Sequence, residues 1–313
     1  MKILGLCWDI ASSASVSIDD KIVYAASEER FSRRKSDEQY PYNAIESGLN
    51  FCAISPNDLD QIVIGSTEMA FKYFMLNKTS TFSVNDLIIL MEKYWRPKLS
   101  GKKFPDMLEL FKHKIEYSNY PFNSKELMSY FPTEIDHHDY SSSFKEKTQN
   151  FFRKAISNHI NVAEDIIKFF DHHSCHASYG FYSGPIRDDG TLIFTADSYG
   201  DGLSGTISRY NEKEKKIERL KKYPVENFQL GRIYRLTTLL LRMLPGEHEY
   251  KTMGLAPYYN GPQKNEVKKI FEEMQVVDGT DFKFNKKIKN IYDHLEENLE
   301  QFRFDHIAAG LQA

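Results

Sequence analysis

The spacing of apolar residues marks the first elements of the chain. Lys2 to Trp8 is mostly apolar, and Ser13–Ile18 and Lys21–Ala26 alternate apolar and polar positions, the period of a half-buried strand. Asp19-Asp20 between the last two predicts a tight hairpin turn. Periodicity predicts a helix from Asn43 to Cys52 and a strand over Gln61-Ile62-Val63-Ile64-Gly65. The same order then returns. An apolar strand, Thr191 to Ala196, leads into a predicted loop, Asp197-Ser198-Tyr199-Gly200-Asp201-Gly202. Strands follow at Leu203–Tyr210 and Ile217–Tyr223 around a charged turn, and then a helix at Gln229–Leu244.

Two β-β-β-α units, each with an acidic residue after its first strand (Asp9 and Asp197), read as an internal duplication. That is the pattern of the actin, sugar-kinase and heat-shock ATPase superfold, an α/β architecture. There, glycine-containing turns cradle nucleotide phosphates through backbone N–H groups. Residues 1–185 are expected to form the first half and 186–313 part of the second. The segment from about 68 to 168 breaks the pattern. Its periodicity is helical at Ser83–Lys93, Asp106–Lys114, Lys125–Tyr130 and Asp139–Ser157, with prolines at 97, 105, 121 and 132 between or beside these runs. It predicts a helical insertion whose aromatic residues form a small satellite core, with Ser83 as N-cap of its first helix. A last helix, from near Phe304 to Ala313, carries Ile307, Ala308 and Leu311 on an apolar face. With no further strand–helix units after it, that face and the edge of the second sheet are expected to lack covering. The expectation is therefore self-association, a further C-terminal region, or a partner chain.

Composition narrows the classes. The chain has 313 residues, 41% of them hydrophobic, and a net charge of −3. Such a chain supports a large core and has no global attraction for nucleic acid or anionic membrane. No run of about 18 apolar residues occurs, so no membrane-spanning helix is expected, and the N-terminus does not read as a signal peptide. Three widely spaced cysteines, Cys7, Cys52 and Cys175, fit a reducing cytoplasm.

The chemistry gathers at Asp171-His172-His173-Ser174-Cys175-His176. His172 and His176 stand four residues apart, on one face of a helix, where both imidazoles reach one ion. The carboxylate of Asp197, at the end of the following core strand, is a natural third ligand. Two nitrogens and one oxygen suit iron, zinc or manganese. A His pair at this spacing also arises by chance among 10 histidines. His173 points about 100° away around the helix and is a hydrogen-bonding neighbour or a substrate contact. Cys175 is either a ligand or a small apolar filler. A similar cluster, Asp136-His137-His138-Asp139, lies in a serine-rich stretch and reads as solvated loop. The run Arg30, Arg33, Arg34, Lys35 is either a solvated face or an anion site. Lys251 enters a predicted Met253-Gly254-Leu255 turn in which Gly254 serves the backbone and its neighbours are core. Asp201 reads mainly as a loop cap.

Several blocks, taken together and in order, resemble one family. They are Ser27-Glu28-Glu29-Arg30-Phe31-Ser32-Arg33-Arg34-Lys35-Ser36-Asp37 with Tyr40-Pro41, then Asp171 to Ser178, Thr195-Ala196-Asp197 with Gly200-Asp201, Gly231-Arg232-Ile233-Tyr234 with Thr237, Glu249 to Tyr258, and Ile307 to Gln312. The chain is similar to the nodulation- and antibiotic-type O-carbamoyltransferases, whose N-terminal domain resembles the ATPase that makes threonylcarbamoyladenosine on tRNA. The resemblance implies a two-step reaction. Carbamoyl phosphate and ATP give carbamoyl-adenylate on a C-terminal domain, and the N-terminal domain moves the carbamoyl group to a hydroxyl of a sugar or natural product. It implies Fe2+ held by residues matching His172, His176 and Asp197, with Arg34, Lys35, Lys251 and Gly254 near the phosphate. Members carry a histidine shortly after the first strand as candidate base. Here Trp8-Asp9-Ile10-Ala11-Ser12-Ser13 has none, which leaves Asp9, with His173, as the expected catalytic groups. The chain also ends before the segments that supply the adenylate-forming step in that family, so residues 1–313 alone are not expected to complete the reaction.

Overall fold

The computed structural model describes residues 1–67, 81–116, 118–121, 123 and 142–313. In chain order the main elements are β1 (Lys2–Cys7), β2 (Ser13–Ile18), β3 (Lys21–Ser27), α1 (Tyr42–Phe51), β4 (Gln61–Ile64), α2 (Val84–Leu90), α3 (Ser142–Ile160), β5 (Ile167–Phe169) and α4 (His172–Ser183). After these come β6 (Leu192–Gly200), β7 (Leu203–Asn211), β8 (Lys216–Pro224), α5 (Leu230–Leu240), α6 (Glu249–Leu255), α7 (Gln263–Glu272), β9 (Gln275–Asp278), β10 (Asp281–Phe284), α8 (Ile291–Leu299) and α9 (Phe304–Gln312). The expected helix at 125–130 and the cluster at 136–139 lie outside the described residues. The chain divides into two compact units, 1–81 with 107–175, and 82–106 with 176–313. The predicted insertion is thus shared between the two, because the 82–106 segment groups with the second.

The first unit is a mixed sheet in the order β3-β2-β1-β4-β5. β1 pairs antiparallel with β2 and parallel with β4, and β4 runs parallel to β5. The β2–β3 turn is the predicted one, with Asp19 and Asp20 at φ 47° and 66°, values that the Asp side chain tolerates. Alternation of the strands puts Leu4, Leu6, Ala14, Val16, Ile62 and Ile64 in the core. The buried face of α1, with Ala44, Ile45 and Leu49, belongs to the same core. The α1 N-terminus is closed by Glu28, a buried carboxylate that accepts from the Asn43 and Ala44 N–H groups at 3.2 and 2.9 Å. A carboxylate there complements the helix dipole and satisfies end donors. Trp8, immediately after β1, is packed edge-on by Tyr40 and Phe152. This fixes the strand end that carries Asp9.

The second unit holds the antiparallel meander β6-β7-β8, the β9–β10 hairpin and a helical core. Ile233, Val267, Phe271, Met274, Ile291, Leu295, Leu299 and Ile307 form one buried cluster. Two expectations change here. The apolar face of α9 is covered, with Ile307 5% and Ala308 1% exposed and Leu311 packed on the same cluster. Gly310 permits this, because a Cβ there would come 2.3 Å from Val267 Cγ1 and 2.9 Å from the Lys268 nitrogen on α7. The predicted helix to Leu244 stops at Leu240, and Arg242 takes φ 58°. Ser83 does cap α2, with its Oγ accepting from the Asp86 N–H and the Asp86 carboxylate returning to the Ser83 N–H, a capping box with Asp at N3. Pro97 does not break the chain direction. A π-helical turn, Met91–Trp95, precedes it, and it sits in the first turn of Arg96–Leu99, where a missing N–H is tolerated. Arg96 then holds α8 through Asp293 at 2.8 Å and Glu296 at 2.7 Å.

Two outcomes follow for stability. Gly310→Ala forces the α7–α9 crossing apart and is expected to destabilise the protein by about 1–3 kcal/mol, read as a fall in thermal midpoint. In the first unit, burial pushes the His159 imidazole down to about 4. Its Nδ1 lies 3.0 Å from the Tyr40 hydroxyl, Tyr42 stacks on its ring at 3.9 Å, and its Nε2 stands 3.1 Å from Glu46 without a hydrogen bond. The unfolded chain protonates this group near its ordinary value while the folded chain resists. Stability is therefore lost as pH falls from about 6.5 toward 4. Denaturant unfolding across that range should show a shallower loss in His159→Gln, and an unchanged slope would contradict the assignment.

Candidate metal centre

Asp171 starts α4. Its carboxylate accepts from the Ser174 N–H at 2.8 Å and the Ser174 hydroxyl at 3.0 Å, and its carbonyl accepts from the Cys175 N–H at 3.1 Å. This is N-capping by an Asp-x-x-Ser sequence, and it makes His172 the first residue of the helix. The burial of α4 then separates two faces. His173, Ala177 and Phe181, at i, i+4 and i+8, are 0, 2 and 3% exposed. Ala177 and Phe181 pack with Ile193 of β6, and the Phe181 ring stacks on Tyr210 of β7 at 4.2 Å. His172 and His176 project from the other face, as the spacing predicted.

That packing sets His176 beside β6. Its Nε2 lies 3.4 Å from Asp197 Oδ2, with the side chains 52 and 31% exposed. His172, one turn back on the helix, completes a set whose ligand atoms all lie within 4.8 Å of one another. Ligands bonded at about 2.1 Å to a first-row divalent ion stand roughly 3.0–3.4 Å apart. The His176–Asp197 pair already has that spacing at 3.4 Å, and the His172 donor lies within 4.8 Å of both. Two imidazoles and one carboxylate, half-exposed on one side, therefore fit a divalent ion that keeps open positions for an exogenous oxygen ligand. Among the described residues this is the one such cluster. Cys175 is not part of it, and its Sγ sits against Gly65.

The predicted loop after Ala196 is instead a continuation of the strand. β6 runs to Gly200 with a register irregularity between Ala196 and Gly200. The turn is only Asp201-Gly202, at φ 49° and 79°. An irregularity at a strand end re-aims side chains, and it falls on Asp197, whose Oδ1 accepts from the Ser198 N–H at 2.6 Å. Asp9 has the same local arrangement after β1, accepting from the Ile10 N–H at 2.8 Å. Pairing of β6 and β7 just before the irregularity is pinned by the Thr195 and Thr206 hydroxyls, 2.8 Å apart and buried. Gly231, near the start of α5, meets a steric need that no local sequence signal announces. A Cβ there would lie 2.7 Å from Ser198 Cα, so only glycine lets α5 pack against the residue next to Asp197.

The other candidate residues are dispersed or exposed. His173 is fully buried, with its ring centroid 5.4 Å from that of His172. Arg34 pairs with Glu116 at 3.3 Å, and Lys35 is exposed. Lys251 is exposed on α6, with its ammonium 5.8 Å from the Tyr250 ring centroid. Gly254 lies in the α6 helix rather than in a turn, and a Cβ added to it would meet no atom within 4 Å. The Glu249 carboxylate accepting from the Gly246 N–H at 2.7 Å helps that stretch start as a helix. Met253, expected in the core, is 48% exposed.

The carbamoyltransferase N-terminus family profile matches residues 2–308. The chain belongs to that family. It is also 27% identical over 142 residues to an uncharacterized protein of Methanocaldococcus jannaschii, MJ1058, a match covering 42% of this chain and 22% of the archaeal protein. The family match spans both units and the resemblance blocks from Ser27 to Tyr258, and it ends within the last one, at residue 308. No helix among the described residues is long and apolar enough to cross a membrane.

Gly231→Ala tests the support of the third candidate ligand. It is expected to lower the Fe2+ content of anaerobically loaded protein severalfold, with about 1–3 kcal/mol lost in stability. Gly254→Ala, in open space on a helix, should leave both at wild-type values or raise stability slightly. Equal metal content in the two variants would contradict this account of Asp197.

Proposed function

We propose that this chain is the acceptor-side region of an O-carbamoyltransferase that takes the carbamoyl group from a carbamoyl-adenylate, formed from carbamoyl phosphate and ATP, to a hydroxyl of a sugar-like small molecule. The observation that carries the reading is the triad His172, His176 and Asp197 inside a chain of the carbamoyltransferase N-terminal family. Divalent iron held there would offset phosphate charge and orient the carbonyl for attack. Asp9 and His173 take separate roles. Asp9 is half-exposed at the end of β1 and is assigned as the group that accepts the hydroxyl proton. His173, being fully buried, is assigned to hold the start of α4 in place. Arg34, Lys35 and Lys251 are assigned to the anionic donor, a role that Arg forks and Lys ammonium groups fill by charge-assisted hydrogen bonds.

The order β3-β2-β1-β4-β5, the repeated β-β-β-α run and the matched Asp9 and Asp197 support the duplicated ATPase-type fold for this reading. A second reading, a metal- and nucleotide-binding half-module that works only with a partner chain, is favoured by one observation. β6 is an edge of its three-stranded sheet, whereas β1, the corresponding first strand, is paired on both sides.

The test is an anaerobic assay of Fe2+-loaded protein with ATP, radiolabelled carbamoyl phosphate and a panel of glycosides. Transfer that falls on the order of 100-fold in His176→Ala and Asp197→Asn, with the fold intact by circular dichroism, is the expected result. Stoichiometric metal binding with no transfer to any acceptor would favour the half-module. Transfer undiminished in both variants would rule out the metal-centred reading.

A further inference from the structure

The open face of α4 carries more than the metal pair. At about 100° per residue, Tyr179 falls within about 20° of His172 and about 60° of His176 around the helix axis. Its neighbours on the opposite face, Ala177 and Phe181, are almost fully buried, whereas Tyr179 is 75% exposed. Gly180 follows it, and a Cβ there would meet no atom within 4 Å. An uncovered phenol ring, with open space beside it, thus stands on the ligand face of the helix one turn beyond His176. Tyr182, 55% exposed, extends the aromatic surface by a further three residues. The alternative, a tyrosine turned into the packing of the unit, is what Tyr210 illustrates. Its ring lies stacked on Phe181, and Tyr179 has no such cover.

We propose that Tyr179 is the acceptor-stacking residue of this site, and that the acceptor presents the C–H face of a sugar ring to it. This rests on the carbamoyl-transfer reading above. The phenol supplies a flat π face for polarised C–H bonds and a hydroxyl that can donate to or accept from a ring substituent. It adds no charge, which suits a neutral polyhydroxylated ligand. Position favours the acceptor over the adenine of the donor. The attacking hydroxyl must stand against the carbamoyl carbon, which is bonded directly to the phosphate oxygen. The acceptor ring therefore belongs about one helical turn, ~5 Å along the axis, from the metal ligands. Adenine is held further from its phosphate by a whole ribose.

The test is saturation-transfer NMR on the full chain loaded with Zn2+, which keeps the sample diamagnetic and suits a nitrogen–oxygen donor set. The probes are a mixture of methyl glucoside, methyl galactoside and methyl mannoside, and separately AMP. At least one glycoside should show transfer to its ring protons in wild type and in Tyr179→Phe. That transfer should fall at least about fivefold in Tyr179→Ala, with zinc stoichiometry and the AMP signal the same in all three proteins. An undiminished glycoside signal in Tyr179→Ala would overturn the assignment, as would no glycoside signal in wild type that binds both zinc and AMP. Loss of the AMP signal alone in Tyr179→Ala would overturn it in favour of the adenine. Wild type that binds neither zinc nor AMP would instead sink the underlying carbamoyl-transfer reading.

Discussion

The register of α4 on the β6–β8 sheet is the constraint on which the candidate site depends. Phe181 stacked on Tyr210, with Ala177 and Ile193 beside it, fixes which side of the helix is inside. Once that is fixed, the 3.6-residue period leaves His172 and His176 on the outside and turns His173 fully inward. Rotating the helix by one residue would bury a candidate ligand and expose its neighbour. The geometry of the candidate ligand set is therefore a consequence of hydrophobic packing, and the Asp171 cap sets where the helix, and with it His172, begins.

The third candidate ligand depends on a different kind of constraint. Asp197 sits where β6 departs from regular pairing, behind a buried Thr195–Thr206 pair and against a helix that approaches closely because residue 231 has no side chain. A regular strand would continue its alternation past this point, and a bulkier residue in α5 would push the irregular segment away. Asp9, with the same backbone contact after β1, shows that the two β-β-β-α runs share this strand-end arrangement. In one run it meets the histidines of α4, and in the other it follows Trp8, clamped by aromatic rings.

Much of this was legible in the sequence because it is local. The strands at 2–7, 13–18, 21–27, 61–64, 203–211 and 216–224 follow apolar alternation, the Ser83 cap follows from side-chain chemistry, and the His172–His176 spacing follows from the helix period. What was not legible is tertiary. The α9 face read as bare because nothing nearby in sequence covers it, whereas its cover lies about forty residues earlier, at Val267, and depends on the lack of a Cβ at Gly310. Gly254 read as a turn because glycine usually marks one, but the stretch from Glu249 carries enough helical context to include it. The continuation of β6 past Ala196 was hidden because its residues, Ser198, Tyr199 and Gly200, resemble a loop by composition. It is paired only through its neighbour β7.

The central claim is that α4 and the end of β6 bring two imidazoles and one carboxylate onto a single ion. Anaerobic titration with Co2+, followed by its ligand-field absorption, measures this most directly, because the band positions and intensities report donor type and coordination. The account predicts saturation at one ion per chain with a nitrogen–oxygen spectrum. That spectrum should be altered and the affinity weakened by His172→Gln, His176→Gln and Asp197→Asn alike, while His137→Gln leaves both unchanged. A one-to-one spectrum that is identical in wild type and in the three ligand variants would contradict it.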